Sequence, residues 1–424
     1  MSNLNIFSSE SVTLQPRDPS SQKRGCLIRG LQLVGRILSL TVLILLALAV
    51  YLWFRHNQKV VLPEPTGPYK VGRMEFDWTD PNRLEPFAIG KREHRELMVW
   101  VWYPTDSTPS ASKPVEYLPT GWRKAREKDM GTAAIFFAQN LATIEAHAYP
   151  DVPLSGSEQT YPIIIMQPGL GPIASDYTIL AEDLASHGYI VFASTPTYSS
   201  SVAVFNDGRV ALTSSDATVL DNMTPEEVQI KLGQLVGIWA QDNIFIMDKL
   251  DKLNTYDPGG IFTGRLDLEL IGMMGHSFGG ASAVETCSLD LRCKAGVNLD
   301  GTIYGDVVKK GLMQPFLFLW NESSYDSPTI LSVNETVQVS KVRIYQFYIK
   351  GMRHFNFSDY GVEYQPVMHW MGALGPINGK RGLRIASAYI HAFFDLELRH
   401  ISTTLLEGPS SKYPEVRIGL PPSP

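Results

Sequence analysis

Residues 270–284 read Leu-Ile-Gly-Met-Met-Gly-His-Ser-Phe-Gly-Gly-Ala-Ser-Ala-Val. An apolar, strand-like run, Leu270–Met274, leads into Gly275-His276-Ser277-Phe278-Gly279, and the small residues from Gly279 onward open a helix. Strand, sharp turn and helix are what a nucleophile elbow needs, because its serine must stand clear of the sheet on a strained turn. Side chains two residues to either side would collide there, which accounts for Gly275 and Gly279. G-x-S-x-G alone says little in a chain with 34 glycines. The flanks make Ser277 a candidate nucleophile instead of an incidental serine in a glycine-rich turn.

Outward from this stretch the same alternation continues. Ile163–Met166, Ile190–Ala193, Ala295–Leu299, Phe316–Trp320 and Val342–Ile349 are short, nearly all-apolar runs, as expected of parallel strands buried on both faces. Helical stretches over 174–186, 225–252, 279–288 and 380–399 lie between them. The pattern predicts an α/β fold with a mostly parallel central sheet, helices on both faces and an inserted cap region. Residues 71–79 and 95–103 predict a strand pair ahead of it. Residues 106–150 show no clear strand, and Ala133–Ile144 reads as a helix. The Pro- and Ser-rich stretch 408–424 reads as a C-terminal tail wrapping the surface, which leaves 60–407 as the folded catalytic domain.

A serine hydroxyl is a poor nucleophile without a base, and the base needs an orienting carboxylate. In this setting the three follow in the order Ser, acid, His. His56, His94, His147 and His187 precede the serine, and His276 lies inside the elbow. His369, His391 and His400 fall in helical or cap-like stretches. His354 alone follows a strand end directly, after Lys350-Gly351-Met352-Arg353. Two carboxylates compete as the acid: Asp300 ends the run Ala295–Leu299, and Glu322 ends the next one. Position alone does not separate them. An oxyanion hole needs two backbone N–H groups. One comes from Phe278, the residue after the nucleophile. The other comes from Gln167-Pro168-Gly169-Leu170-Gly171, with Leu170 the best placed.

Near the N-terminus, Ile37–Phe54 carries no charge. As a helix it spans about 27 Å, close to the hydrocarbon thickness of a bilayer. Arg36 and Arg55 bracket it, and Tyr51 and Trp53 sit at one end, where aromatic rings favour the interface. A cleaved signal peptide with Ala47-Leu48-Ala49 as its site competes with an uncleaved anchor. The long leader before the apolar run and the apolar residues after the site favour the anchor. Lys23, Arg24, Arg29 and Arg36 then place residues 1–36, a disordered tail, in the cytoplasm, and everything after Phe54 across the membrane.

The chain has 424 residues, with 37 Lys+Arg against 43 Asp+Glu and a net charge of −6, which excludes a basic nucleic-acid binder. Its 3 cysteines form neither a disulfide framework nor a zinc pattern, although Cys287 and Cys293 can pair outside the cytoplasm. No Gly-rich phosphate loop is present, and no metal or cofactor is expected. Val362, Tyr364, Met368, Trp370 and Met371 form an apolar stretch after the candidate base, suited to an acyl pocket, a lipid surface or a cap packed on the core. Of the glycosylation sequons at Asn222, Asn321, Asn334 and Asn356, the last lies beside His354, where a glycan would obstruct the site.

Gly275-His276-Ser277-Phe278-Gly279-Gly280-Ala281 resembles the elbow of the plasma and intracellular type II platelet-activating-factor acetylhydrolases. Gly169-Leu170-Gly171 resembles that family's oxyanion loop, and Glu182–Val191 its following helix-to-strand segment. Leu299-Asp300 and His354-Phe355-Asn356-Phe357 resemble its acid and base segments. The resemblance runs from about Val71 to about residue 400. It implies an α/β-hydrolase fold and hydrolysis, through an acyl-enzyme, of a small-molecule or lipid ester, with a short or oxidised acyl group. It implies Ser277 as nucleophile, His354 as base, Asp300 rather than Glu322 as acid, and Leu170 and Phe278 as the oxyanion hole. Pro168 departs from the family, which usually has histidine there, as does the segment after His354. A generalist carboxylesterase or polyester hydrolase is the alternative within the class. A non-catalytic interaction module on this fold would usually have lost the serine or the histidine.

Overall fold

The computed structural model describes residues 19–88, 93–107, 113–132, 138–221, 223–323, 328–363 and 365–420. The chain divides into two compact units, one ending at Arg55 and the other beginning at His56. The first is a helix, α1 (Pro19–His56), whose Arg29–His56 portion is long and apolar enough to cross a membrane. Residues 19–36, expected to be a disordered tail, belong to this helix. Proline is tolerated in a first helical turn, and once the apolar segment is helical each further residue adds a bond at little cost. Residues 1–18 lie outside the described residues.

The second unit is built on a nine-stranded sheet. Its strands are β1 (Lys70–Leu84), β2 (His94–Thr105), β3 (Tyr161–Gln167), β4 (Ile190–Thr195), β5 (Leu266–His276), β6 (Cys293–Leu299), β7 (Phe316–Asn321), β8 (Ile344–Ile349) and β9 (Val416–Ile418). They lie in the order β9-β8-β7-β6-β5-β3-β4-β2-β1. From β8 to β4 every pairing is parallel, so all these strands end on one edge of the molecule. Only β1/β2, β2/β4 and β8/β9 are antiparallel. Strand alternation splits the core in two. Ile163 and Ile165 pack on one face with Phe192, Met273 and Phe318. Ile164 and Met166 pack on the other with Val191, Val297 and Leu317.

The main helices are α2 (Thr120–Met130), α3 (Thr178–Ser186), α4 (Pro225–Thr255), α5 (Phe278–Leu289), α6 (Pro328–Val339) and α7 (Gly379–Glu397). The start of α4 is fixed by a capping box, with Thr224 and Glu227 each accepting the other's backbone N–H, and by Pro225. Arg95 is fully buried and ties β2 to Glu85 and to Asp242 on α4, both at 2.6 Å. Cys287 and Cys293 form a disulfide between the end of α5 and the start of β6.

Two further expectations change, and one helix lies where none was expected. The helix expected over 133–144 falls partly outside the described residues. Its remainder is a 3₁₀ turn, Leu141–Thr143, and a short strand, Ile144–Glu145, paired with Val60–Val61. Asn140 caps the turn by accepting the Ala142 N–H, and β-branched Thr143 and Ile144 suit an extended exit. Helix α2 is mostly polar and buries only Trp122 and Arg126, which leaves no apolar stripe to mark it in the sequence. The stretch expected to be a surface tail supplies β9, which pairs Val416 with Ile349 and Ile418 with Phe347, so the folded unit extends past residue 407.

Candidate active site

The parallel strands bring five chain ends to the same edge. Strand β5 delivers Ser277, β6 Asp300, β7 Glu322 and β8 the loop to His354, while β3 delivers the loop 168–171. Ser277 has φ 54° and ψ −121°, a conformation that costs a non-glycine residue free energy and persists only when its surroundings enforce it. A Cβ on Gly275 would lie 2.2 Å from the Gly279 backbone, and one on Gly279 would lie 2.2 Å from the Pro168 oxygen. The elbow therefore closes only with glycine at both positions. The Ser277 N–H donates to the Leu299 oxygen at 2.8 Å, pinning the turn to β6.

Asp300 also has positive φ, 58°. Its N–H donates to the Leu319 oxygen, and its side chain is only 2% exposed. Asn321 serves it twice: its backbone N–H donates to Oδ1 at 3.2 Å, and its side-chain amide donates to Oδ2. His354 Nδ1 lies 2.6 Å from Asp300 Oδ2. A carboxylate accepts there, so Nδ1 carries the hydrogen of this bond. The His354 side chain remains 38% exposed, open to an incoming substrate. Glu322 stands elsewhere. It accepts the Gly351 N–H at 2.7 Å and so shapes the turn leading to His354 without meeting the imidazole.

In the loop after β3, Gly169 N–H donates to the Tyr177 hydroxyl at 3.0 Å, and Gly171 N–H donates to the Ser199 oxygen at 3.0 Å. Between them, the Leu170 amide takes no partner among the described residues. Phe278 is the first residue of α5, whose leading amides have no acceptor within the helix. The side chains of Leu170 and Phe278 share one apolar cluster with Trp239 and Tyr304 beneath α4, and Phe278 meets Trp239 edge-on at 4.9 Å. Both amides thus have fixed backbones.

Beside the loop and His354 lies an apolar cavity of about 290 Å³ lined by Met130, Gly171, Pro172, Phe355, Tyr360 and Met368. Trp370 and Met371, from the apolar stretch after the base, are exposed, whereas Val362 is buried; Tyr364 lies outside the described residues. Asn356 is buried and accepts N–H groups from Arg353 and Gly375, so its sequon is closed to a glycan. Two site residues escaped the sequence reading. Asn321 gives one signal in retrospect, a polar residue closing an apolar strand at the ligand-binding edge. Tyr177 gives none.

The family model for platelet-activating factor acetylhydrolase, isoform II, matches residues 54–235 and 247–401. The chain is 27% identical over 388 residues to a probable 1-alkyl-2-acetylglycerophosphocholine esterase of Arthroderma benhamiae, covering 84% of this chain and 93% of that protein. It is 28% identical to platelet-activating factor acetylhydrolase of Bos taurus, covering 80% and 77%. Among solved structures, a ferulic acid esterase of Streptomyces cinnamoneus superposes with a TM-score of 0.70 at 27% identity, covering 85% of this chain and 99% of that one. The chain is a carboxylic ester hydrolase of the α/β-hydrolase fold and belongs to the isoform II platelet-activating factor acetylhydrolase family.

Proposed function

We propose that the protein is a membrane-anchored serine hydrolase of phospholipids bearing a short or oxidised acyl group, with Ser277 as nucleophile, His354 as base and Asp300 as orienting acid. The observation that carries this reading is the strained Ser277 elbow at the same sheet edge as the 2.6 Å His354–Asp300 pair. Ser277 Oγ attacks the ester carbonyl while His354 Nε2 takes its proton. The N–H groups of Leu170 and Phe278 hold the oxyanion. The tetrahedral intermediate collapses, the alcohol leaves with the proton from His354, and an acyl-Ser277 ester remains. Water then attacks, His354 again taking a proton, and the carboxylic acid departs. Asp300 stays ionised and stabilises the imidazolium. The names of the curated relatives support an acetyl-glycerophospholipid substrate. The apolar segment 37–54 of α1, with Lys23, Arg24, Arg29 and Arg36 ahead of it and only Arg55 and Lys59 close behind, and the disulfide support a cytoplasmic N-terminus with the hydrolase on the far side.

The test is fluorophosphonate labelling of the full chain in detergent micelles, beside Ser277→Ala, followed by hydrolysis of phosphatidylcholines of increasing sn-2 chain length. Labelling of wild type alone, with rates falling as the chain lengthens, is expected; equal activity of Ser277→Ala would overturn the reading. The 290 Å³ apolar cavity beside the site favours one second reading, a generalist carboxylesterase. Rapid turnover of short aryl esters with none of phospholipid would select it.

A further inference from the structure

His276, the residue before Ser277 in the elbow, is 1% exposed and takes no part in the steps above, yet both its nitrogens are engaged. Nε2 lies 2.9 Å from the His354 backbone oxygen. A carbonyl only accepts, so Nε2 carries the hydrogen. Burial and the neighbouring His354 hold the imidazolium form far below the usual histidine range, so the ring is neutral and Nδ1 is an acceptor. The Tyr177 hydroxyl lies 2.8 Å from Nδ1 and must donate to it. Its oxygen is then left to accept, and it takes the Gly169 N–H at 3.0 Å. Every donor in this line is forced by the one before it. The line begins on the backbone of the candidate base, passes beside the candidate nucleophile and ends on the oxyanion loop, one residue before Leu170.

We propose that His276 and Tyr177 are positioning residues for ester hydrolysis, one hydrogen-bonded line that sets the His354 backbone and the Gly169–Leu170 loop in register around Ser277. This rests on the roles assigned above to Ser277, His354 and Leu170. Catalysis by pre-oriented groups is steep in geometry, since a shift of about 1 Å costs up to about 100-fold. Tyr177→Phe keeps the ring but strands the Gly169 N–H and His276 Nδ1. His276→Gln can still donate toward the His354 oxygen but cannot accept from Tyr177 at the same time.

The experiment uses the full chain in detergent micelles. Saturating fluorophosphonate counts competent serines, and 4-nitrophenyl acetate turnover is expressed per labelled site. Each variant is expected to lose about 10- to 100-fold in kcat per labelled site with KM nearly unchanged. The double variant should lose no more than the worse single one, because one line is broken once. A merely structural role would lower the melting temperature and the labelled fraction while leaving kcat per labelled site at the wild-type value, and that result overturns the proposal. Losses that multiply in the double variant overturn the single line. Activity surviving in Ser277→Ala would instead remove the nucleophile assignment beneath it, a failure distinguishable from both.

Discussion

Two groups of buried carboxylates face opposite sides of the loop that carries His354, and they solve burial differently. Asp300 has two donors from Asn321 and one from His354, which satisfy the oxygens of a buried carboxylate. Behind the loop, Asp176, Asp359 and Glu363 are all buried. Asp176 is provided for, with Arg126 at 2.6 Å, the Tyr360 hydroxyl at 3.0 Å and the Ile173 N–H at 2.9 Å. Asp359 and Glu363 share the hydroxyl of Tyr117. That hydroxyl has one proton and cannot donate to both, so a carboxyl must supply the second. Burial, then the charge of Asp176, pushes Glu363 up to about 7. Burial, Glu363 and Asp176 raise Asp359 well above the usual carboxylate range. One pocket is built to keep a charge, the other to keep a proton. The second clamps the loop of His354 to the segment that follows residues 168–171, because the Asp359 N–H donates to the Asp176 oxygen at 2.7 Å.

The largest effect should come from removing the charge that the first pocket keeps. Asp300→Asn is isosteric, but its amide favours the wrong imidazole tautomer. It should lower kcat by about 10³- to 10⁴-fold with little change in folding. Glu322→Gln retains an acceptor for the Gly351 N–H and should stay within about 3-fold of wild type. A reversal of that order in steady-state rates would transfer the role of acid to Glu322.

The second pocket should be read through pH. Folded Glu363 holds its proton up to about 7, whereas in the unfolded chain it ionises near the ordinary carboxylate value. Its contribution is therefore complete below about 4.5 and is lost as pH rises toward 7. The loss amounts to roughly 3 kcal/mol for a shift of this size. Asp359 adds to it in the same direction. Glu363→Gln has no proton to lose, so its stability should fall less between pH 5 and pH 8, and at pH 8 it should unfold at higher denaturant than wild type. Parallel urea midpoints for the two proteins across that range would show that Glu363 keeps no proton.

These differences follow what a sequence can express. The strands around Ser277 are legible because burial on both faces demands continuous apolar runs, and the elbow because sterics demand glycine at 275 and 279. His354 is legible as the histidine downstream of the serine that follows an apolar strand-like run, since His369, His391 and His400 fall in helical or cap-like stretches. Asp300 and Glu322 remain tied by position, since both close strands at one edge, and only their contacts part them. Asn321 and Tyr177 act through partners 21 and 99 residues away, a relation without a local signature. Strand β9 hides in a Pro-rich stretch because an edge strand needs only one neighbour, and β8 offers it a ready row of backbone groups.

The smallest effect should lie at the opposite end of the sheet. The Cys287–Cys293 bond closes a loop of only 6 residues' separation, so it removes little freedom from the unfolded chain, worth about 2 kcal/mol. It joins Cys287 near the far end of α5 to the entry of β6, 10 residues along the helix from Ser277, or roughly 15 Å. The strand ends that hold Ser277 and Asp300 are fixed instead by the Ser277–Leu299 and Asp300–Leu319 backbone bonds, which the disulfide does not touch. Replacing both cysteines by alanine should therefore lower the melting temperature by a few degrees and leave kcat per labelled serine unchanged. A loss of kcat in the folded variant would mean that strain travels along α5 to the elbow, and that the site depends on the covalent tie as well as on its own hydrogen bonds.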